Sequence, residues 1–219
     1  MTEADDAAAI LDEFRSFDAY TLGDAARDAG TGNILQHLKP QTRDSRFVGR
    51  ALPARIWREQ FKSVPVKQYG SADLREQARP GDVVVLDGGG MMLSAMGDLA
   101  FANLKLKGAA GAVVNACVRD VEQLEELELG LPVFSLGAAI ASVAGNSRVV
   151  DIRQPVYIQG VRICHGDLIA GCRGGIVVIP WEDRHAVLEQ ARRIANTDRL
   201  VRDGLQRGES ITSLWQQHK

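Results

Sequence analysis

Three residues of this 219-residue chain have types and spacing suited to chemistry on a small anion: Asp98, Arg119 and Asp120. A carboxylate at a strand end can hold a divalent cation through oxygen, and a guanidinium beside it can clamp a substrate carboxylate through two hydrogen bonds. Asp98 lies in the run Gly97-Asp98-Leu99-Ala100, where a helix becomes regular. Backbone N–H groups at a helix start lack intrahelical partners and form an anion site. Each acid also has a plainer reading. Asp120 with Gln123 fits a capping box, and Asp98 is a favourable charge near a helix N-terminus. On the residues alone, both readings stay open.

The elements that must position these residues are legible around them. An apolar strand at 82–86 runs into Gly88-Gly89-Gly90, a helical stretch covers 94–107, and Gly108 ends it. A second apolar strand at 112–116 leads to Arg119-Asp120, followed by a helix at 120–128 and a strand at 132–134. In an open α/β sheet, ligands sit off the carboxyl ends of the strands, and two such ends deliver the acids and the arginine here. The short strand–helix alternation predicts parallel pairing with right-handed crossovers. The glycine run lacks both the dinucleotide spacing and a following P-loop lysine, so it predicts a tight turn that admits close approach.

Upstream, apolar periodicity predicts helices at 7–17 and 21–29, the second with Thr21 as N-cap and Asp24 at the capping-box position. A strand follows at 47–57, then a loop and short helix over 62–77. Downstream come short β-runs at 149–152, 155–158, 161–163 and 175–179, an amphipathic charged helix from 182 to about 201, and a polar tail. The reading is one α/β domain over 1–219, with a core at about 20–200 and a C-terminal helical tail at 182–219.

Composition excludes several classes. A formal net charge of −2 gives no basis for nucleic acid or an anionic membrane as partner. No apolar run approaches a membrane span, and the acidic N-terminus is not a secretory signal, so a cytoplasmic protein is expected. Cys117, Cys164 and Cys172 lack metal-site spacing and read as buried or idle thiols. His37, His165, His185 and His218 form no i,i+4 pair, and no serine sits in a nucleophile elbow.

Taken together, these residues resemble the class II pyruvate aldolases that act on 4-hydroxy-4-methyl-2-oxoglutarate and 4-carboxy-4-hydroxy-2-oxoadipate. Their superfamily also holds the regulator of ribonuclease E activity A. The hallmark is an Asp, twenty intervening residues, then Arg-Asp, matched by Asp98 and Arg119-Asp120. PGDVVVLDGGG (80–90), GDLA (97–100), FVGRALPARI (47–56), PVYIQGVRICHGDLIA (155–170) and GGIVVIP (174–180) follow the family's phrasing. The resemblance covers about 20–200. It implies a compact αββα sandwich with a central mixed sheet, assembled as a homotrimer or homohexamer with sites at subunit interfaces. It implies Mg²⁺ or Mn²⁺ on Asp120, with Asp98 holding water beside the ion and moving protons. Arg119 would bind the pyruvate moiety, and the amides of Gly97, Asp98, Leu99 and Ala100 its carboxylate.

The implied reaction is retro-aldol cleavage of a 4-hydroxy-2-oxo acid to pyruvate, with oxaloacetate decarboxylation through the same enolate. The alternative is a non-catalytic protein-binding regulator. The chain departs from the family at Asn115-Ala116, where Asp-Gly is common, at Gly171-Cys172-Arg173-Gly174 in place of an acidic turn, and in the loop 137–145.

Overall fold

The structure is a computed structural model that describes residues 3–58, 71–126 and 130–218. The predicted loop at 62–70 and the end of the predicted helix at 127–128 lie outside these residues.

Two helices, α1 (Glu3–Ser16) and α2 (Ala19–Asp28), precede two short strands, β1 (Asn33–Leu35) and β2 (Lys39–Pro40). The cap of α2 is Asp18 rather than Thr21: Thr21 N donates to Asp18 Oδ1 at 2.8 Å. Asp24 instead pairs with Arg27 one turn later, at 2.6 Å. The correction follows from the chain's exit from α1, which leaves Asp18 in the extended conformation that an N-cap requires.

The alternating segment follows. It comprises β3 (Phe47–Arg58), α3 (Ser71–Gln77), β4 (Asp82–Met96), α4 (Asp98–Leu106), β5 (Gly111–Val118), α5 (Val121–Glu126) and β6 (Val133–Ser135). The strands β3, β4, β5 and β6 lie side by side and parallel, as the alternation predicts. They read as continuous apolar runs because both faces are covered.

The rest of the sheet is antiparallel apart from the short strand at 137–138, which runs parallel to the end of β5. After β7 (Gly137–Ala138) and β8 (Ser147–Val150) comes a separate hairpin, β9 (Val156–Ile158) with β10 (Val161–Ile163). Then β11 (Leu168–Cys172) and β12 (Gly175–Ile179) lead through a 3-10 turn at Trp181–Asp183 to α6 (Arg184–Gln206) and α7 (Ile211–His218). The order across the sheet is β1-β12-β11-β3-β4-β5-β6-β2, with β8 beside the end of β3 and β7 beside the end of β5. The expected α/β domain with a central mixed sheet and a C-terminal helix is present. Strands β1, β2, β7 and β11 and the helix α7 escape the sequence reading, and β8 begins two residues before the predicted run.

Period-two alternation divides the core. On one face Leu52, Val84, Leu86, Ala112 and Val114 pack with Leu74 of α3, Phe101 and Leu104 of α4, and Leu124 of α5. On the opposite face Val83, Val85 and Val113 meet Val156, Ile158, Val161 and Ile163 of the hairpin. A third cluster joins Leu168, Ala170, Val177 and Ile179 to Ile10, Phe14, Leu22, Val187 and Leu188 of α1, α2 and α6. Helices thus cover one face of the parallel strands and the hairpin covers the other.

Candidate active site

Gly88, Gly89 and Gly90 do not form the predicted turn. They bulge inside β4, between the pairs Asp87↔Asn115 and Met91↔Ala116, and the strand then resumes through Met96. Asp87, buried at the start of the bulge, accepts from Gly89 N at 2.9 Å and from Asn115 Nδ2 at 2.8 Å. A Cβ on Gly88 would lie 2.8 Å from Ala116 Cβ, so the bulge needs glycine where it presses on β5. Gly89 and Gly90 adopt positive φ. The bulge explains why Ser94, Ala95 and Met96 are strand rather than helix: their register is shifted, yet they still pair with β5.

The extension brings the ends of the two strands level. Met96 pairs with Val118, and Arg119 N donates to Met96 O at 3.0 Å. Gly97 then caps α4, and Ala100 N and Phe101 N both donate to Gly97 O, at 3.0 and 3.2 Å. Gly97 has no side chain with which to cap, so the start of α4 carries no side-chain cap.

The expected residues converge here. Arg119 Nε donates to Asp120 Oδ2 at 3.1 Å, with the Arg119 side chain 51% and the Asp120 side chain 33% exposed. Gly97 is the surface against which this pair rests. An added Cβ there would lie 2.5 Å from Asp120 Oδ2 and 3.0 Å from Arg119 Nε. Asp120 itself has φ +60, outside the extended conformation from which a side chain caps a helix, so the capping-box reading does not hold.

Asp98, Gly97, Leu99, Ala100 and Arg119 line one cleft of about 190 Å³. That is below the ~300–1,000 Å³ typical of drug-sized ligands and suits a small acid. Spacing alone misses three contributions to its walls. Arg75 enters from α3, and Ser94 from the strand continuation. Ser142 and Ala144 come from the loop after β7, which crosses the end of β4 through Ser94 N to Ala141 O at 2.7 Å and Val143 N to Ser94 O at 3.1 Å. The unusual 137–145 loop is thus a wall of the cleft. No periodicity signals this, since the chain reaches the site only by returning over two strand ends.

The remaining candidates lie elsewhere. His165 Nδ1 is 3.0 Å from Ala51 O in its turn, and His37 contacts Gln159. The three cysteines are free; Cys117 and Cys172 are buried, and burial pushes the Cys117 thiol up from its ordinary value. Asp82 and Asp167, both buried, are also pushed up by burial, against hydrogen bonds from Arg79 N and from Cys164 N. Neither lines the cleft.

Among the described residues no three His, Cys, Asp or Glu side chains gather to hold a metal. The donor set nevertheless fits Mg²⁺, which binds through one or two carboxylates and keeps its remaining places for water and substrate. No described helix is long and apolar enough to cross a membrane.

The chain is similar to known proteins in both sequence and fold. A Halalkalibacterium halodurans protein provisionally named 4-hydroxy-4-methyl-2-oxoglutarate aldolase is 30% identical over 185 residues, spanning 84% of this chain and 82% of its own. An Arabidopsis thaliana protein with the same provisional name is 35% identical over 104 residues, 47% of this chain and 61% of its own. Among solved structures, an uncharacterized Pseudomonas syringae protein superposes with a TM-score of 0.81 at 23% identity, covering 94% of this chain and 96% of its own. An unusual member of the RNase ES inhibitor RraA family from Streptomyces coelicolor gives a TM-score of 0.78 at 21% identity, covering 89% and 96%. These two likenesses concern the fold. The sequence model of the RraA-like (Aldolase/RraA) family matches residues 8–178. With most of its length matched and an aldolase-named relative at 30% identity, the chain belongs to the RraA-like aldolase/RraA family.

Proposed function

We propose that the protein is a divalent-metal-dependent lyase that cleaves a 4-hydroxy-2-oxo acid, of the 4-hydroxy-4-methyl-2-oxoglutarate type, to pyruvate. The observation that carries this reading is that Asp98 and Arg119 line one small cleft with the uncapped start of α4, while Asp120, which does not itself line that cleft, is held against Arg119 beside it. Asp120 is the residue to hold Mg²⁺ or Mn²⁺, with Asp98 nearby. Bound there, the ion supplies Lewis-acid stabilisation of the pyruvate enolate.

The chain's own groups do the rest. The amides at the start of α4 hold the 2-oxo acid's carboxylate, where the helix dipole favours negative charge. Arg119 aims charge-assisted hydrogen bonds at the oxygen that becomes negative as the C3–C4 bond breaks. Asp98 relays the proton lost from the 4-hydroxyl. Oxaloacetate decarboxylation passes through the same enolate and is an expected side activity. The proposal includes a homotrimer or homohexamer acting in the cytoplasm; size-exclusion chromatography with light scattering tests the assembly.

The test is pyruvate release coupled to NADH oxidation by lactate dehydrogenase, with 4-hydroxy-4-methyl-2-oxoglutarate and oxaloacetate in parallel, in Mg²⁺ and in EDTA. Metal-dependent turnover that Asp120→Ala abolishes supports the reading. Undiminished turnover in that variant sinks it, and silence on both substrates turns to the regulator alternative.

A further inference from the structure

A second cavity, of about 380 Å³ against about 190 Å³ for the cleft, opens at the amino ends of β3 and β5. We infer that it is a binding site for a small carboxylate carrying an aromatic ring. Phe47 and Val48 begin β3, and Ala110 immediately precedes β5. Arg119 lies beyond the other end of β5, roughly 26 Å away along eight extended residues. The site is therefore separate from the cleft.

Its lining divides into an apolar floor and a basic rim. Phe47 is buried, held edge-on against Phe134 at 5.5 Å, and Phe17, Val48 and Ala110 are half-buried around it. Gly171 completes the floor, because a Cβ there would collide with the Phe47 ring. That glycine begins the turn 171–174, in which the chain departs from its family, so the departure falls on a wall of this cavity.

Arg15 and Arg46 are the charged members of the lining, and among the described residues none that lines it is acidic. Arg15 is already matched, since it donates to Asp12 Oδ1 at 2.6 Å, outside the lining, and its other terminal nitrogen lies by the Gly81 turn. Arg46 donates through its backbone N to Asp44 Oδ1 at 3.2 Å, but its guanidinium is in no ion pair among the described residues. One unmatched guanidinium suits a monoanion, and its fork of donors matches both oxygens of a carboxylate. The two phenyl rings suit an aromatic body, packed edge-on or offset. The volume falls within the roughly 300–1,000 Å³ usual for ligand sites, which the cleft does not reach.

The test is a methyl-detected NMR titration with phenylacetate, its uncharged analogue phenylacetamide, and acetate. Phenylacetate is expected to saturate with a Kd on the order of 1 mM and to show Overhauser effects to the Val48 and Ala110 methyls. Phenylacetamide and acetate each lack one half of the ligand and are expected to bind about 10-fold more weakly. Arg46 is exposed, so Arg46→Gln is expected to stay folded, to keep amide binding and to lose the preference for acid over amide. Arg119→Gln is expected to leave the Kd within about twofold. Failure to saturate by about 20 mM, equal binding of acid and amide to the wild type, or a preference that survives Arg46→Gln overturns the inference. So does binding that Arg119→Gln abolishes, which would place the acid in the cleft.

Discussion

Gly97→Ala isolates the packing of the site from the folding of the chain. Gly97 has φ −133° and ψ −173°, extended backbone that alanine adopts freely, so the substitution stores no backbone strain. Its added methyl, however, would sit 2.5 Å from Asp120 Oδ2. Asp120 must retreat by about 0.9 Å to regain ordinary contact, and it drags Arg119 with it through their hydrogen bond. A misplacement of roughly 1 Å at a reacting centre costs on the order of 100-fold in rate. The fold loses less, since alanine is a poorer N-cap than glycine by up to about 1 kcal/mol, or ~2–4 °C in Tm for a chain of this size. The expected result is a kcat/KM for pyruvate release about 100-fold lower with a Tm within a few degrees. Gly97→Ser is the companion, because its hydroxyl can cap α4 and restore Tm while its Cβ keeps the clash. If Gly97→Ala keeps turnover within about threefold of wild type, the claim that the bare glycine seats Asp120 is refuted.

Other outcomes follow from the same geometry. Asp98→Asn keeps the shape of the cleft but removes the proton acceptor, so kcat is expected to fall about 100-fold or more with little change in KM, read by steady-state kinetics. Gly171→Ala drives a methyl into the Phe47 ring, which packs edge-on against Phe134 at 5.5 Å. A loss of about 1–3 kcal/mol in urea unfolding is expected, with kcat preserved at low temperature. Burial raises the Asp82 and Asp167 carboxyls above their ordinary 3.8. Folding then favours their protonated forms, and the stability they contribute is fully present below 3.8 and lost as pH climbs through the raised folded values. Asp82→Asn is therefore expected to flatten the fall of Tm between about pH 4 and neutrality; an unchanged slope would count against burial as the cause. Asn115→Asp replaces the donor to Asp87 with a second buried carboxylate, and Tm at neutral pH is expected to drop, with recovery on acidification.

The parallel half of the sheet was readable because strands covered on both faces are spelled as unbroken apolar runs, as at Val83-Val84-Val85-Leu86. The meeting of Asp98 with Arg119 in one cleft was readable for a related reason, since successive parallel strands deliver their carboxyl ends to one edge. Long-range pairing hid the rest. β1 is three residues paired with β12, far along the chain, and Lys39-Pro40 becomes strand through pairing with β6. The strand character of Ser94, Ala95 and Met96 comes from β5 across the bulge, which overrides a helix-like pattern. Arg75 and Ser142 reach the cleft from segments that carry no motif.

Asp120 stands at φ +60, a left-handed conformation that glycine occupies without steric cost and that aspartate, like asparagine, reaches more readily than other residues but still at a cost. The group proposed for the chemistry is thus held where the backbone alone would choose something else. Replacing it with Gly would relieve that cost while erasing the carboxylate, and the relief offsets the extra freedom that glycine gives the unfolded chain. A scaffold with that property can shed catalysis without shedding stability, and its surface then remains available for other work. In evolutionary terms this offers a short route from an aldolase to a protein that only binds.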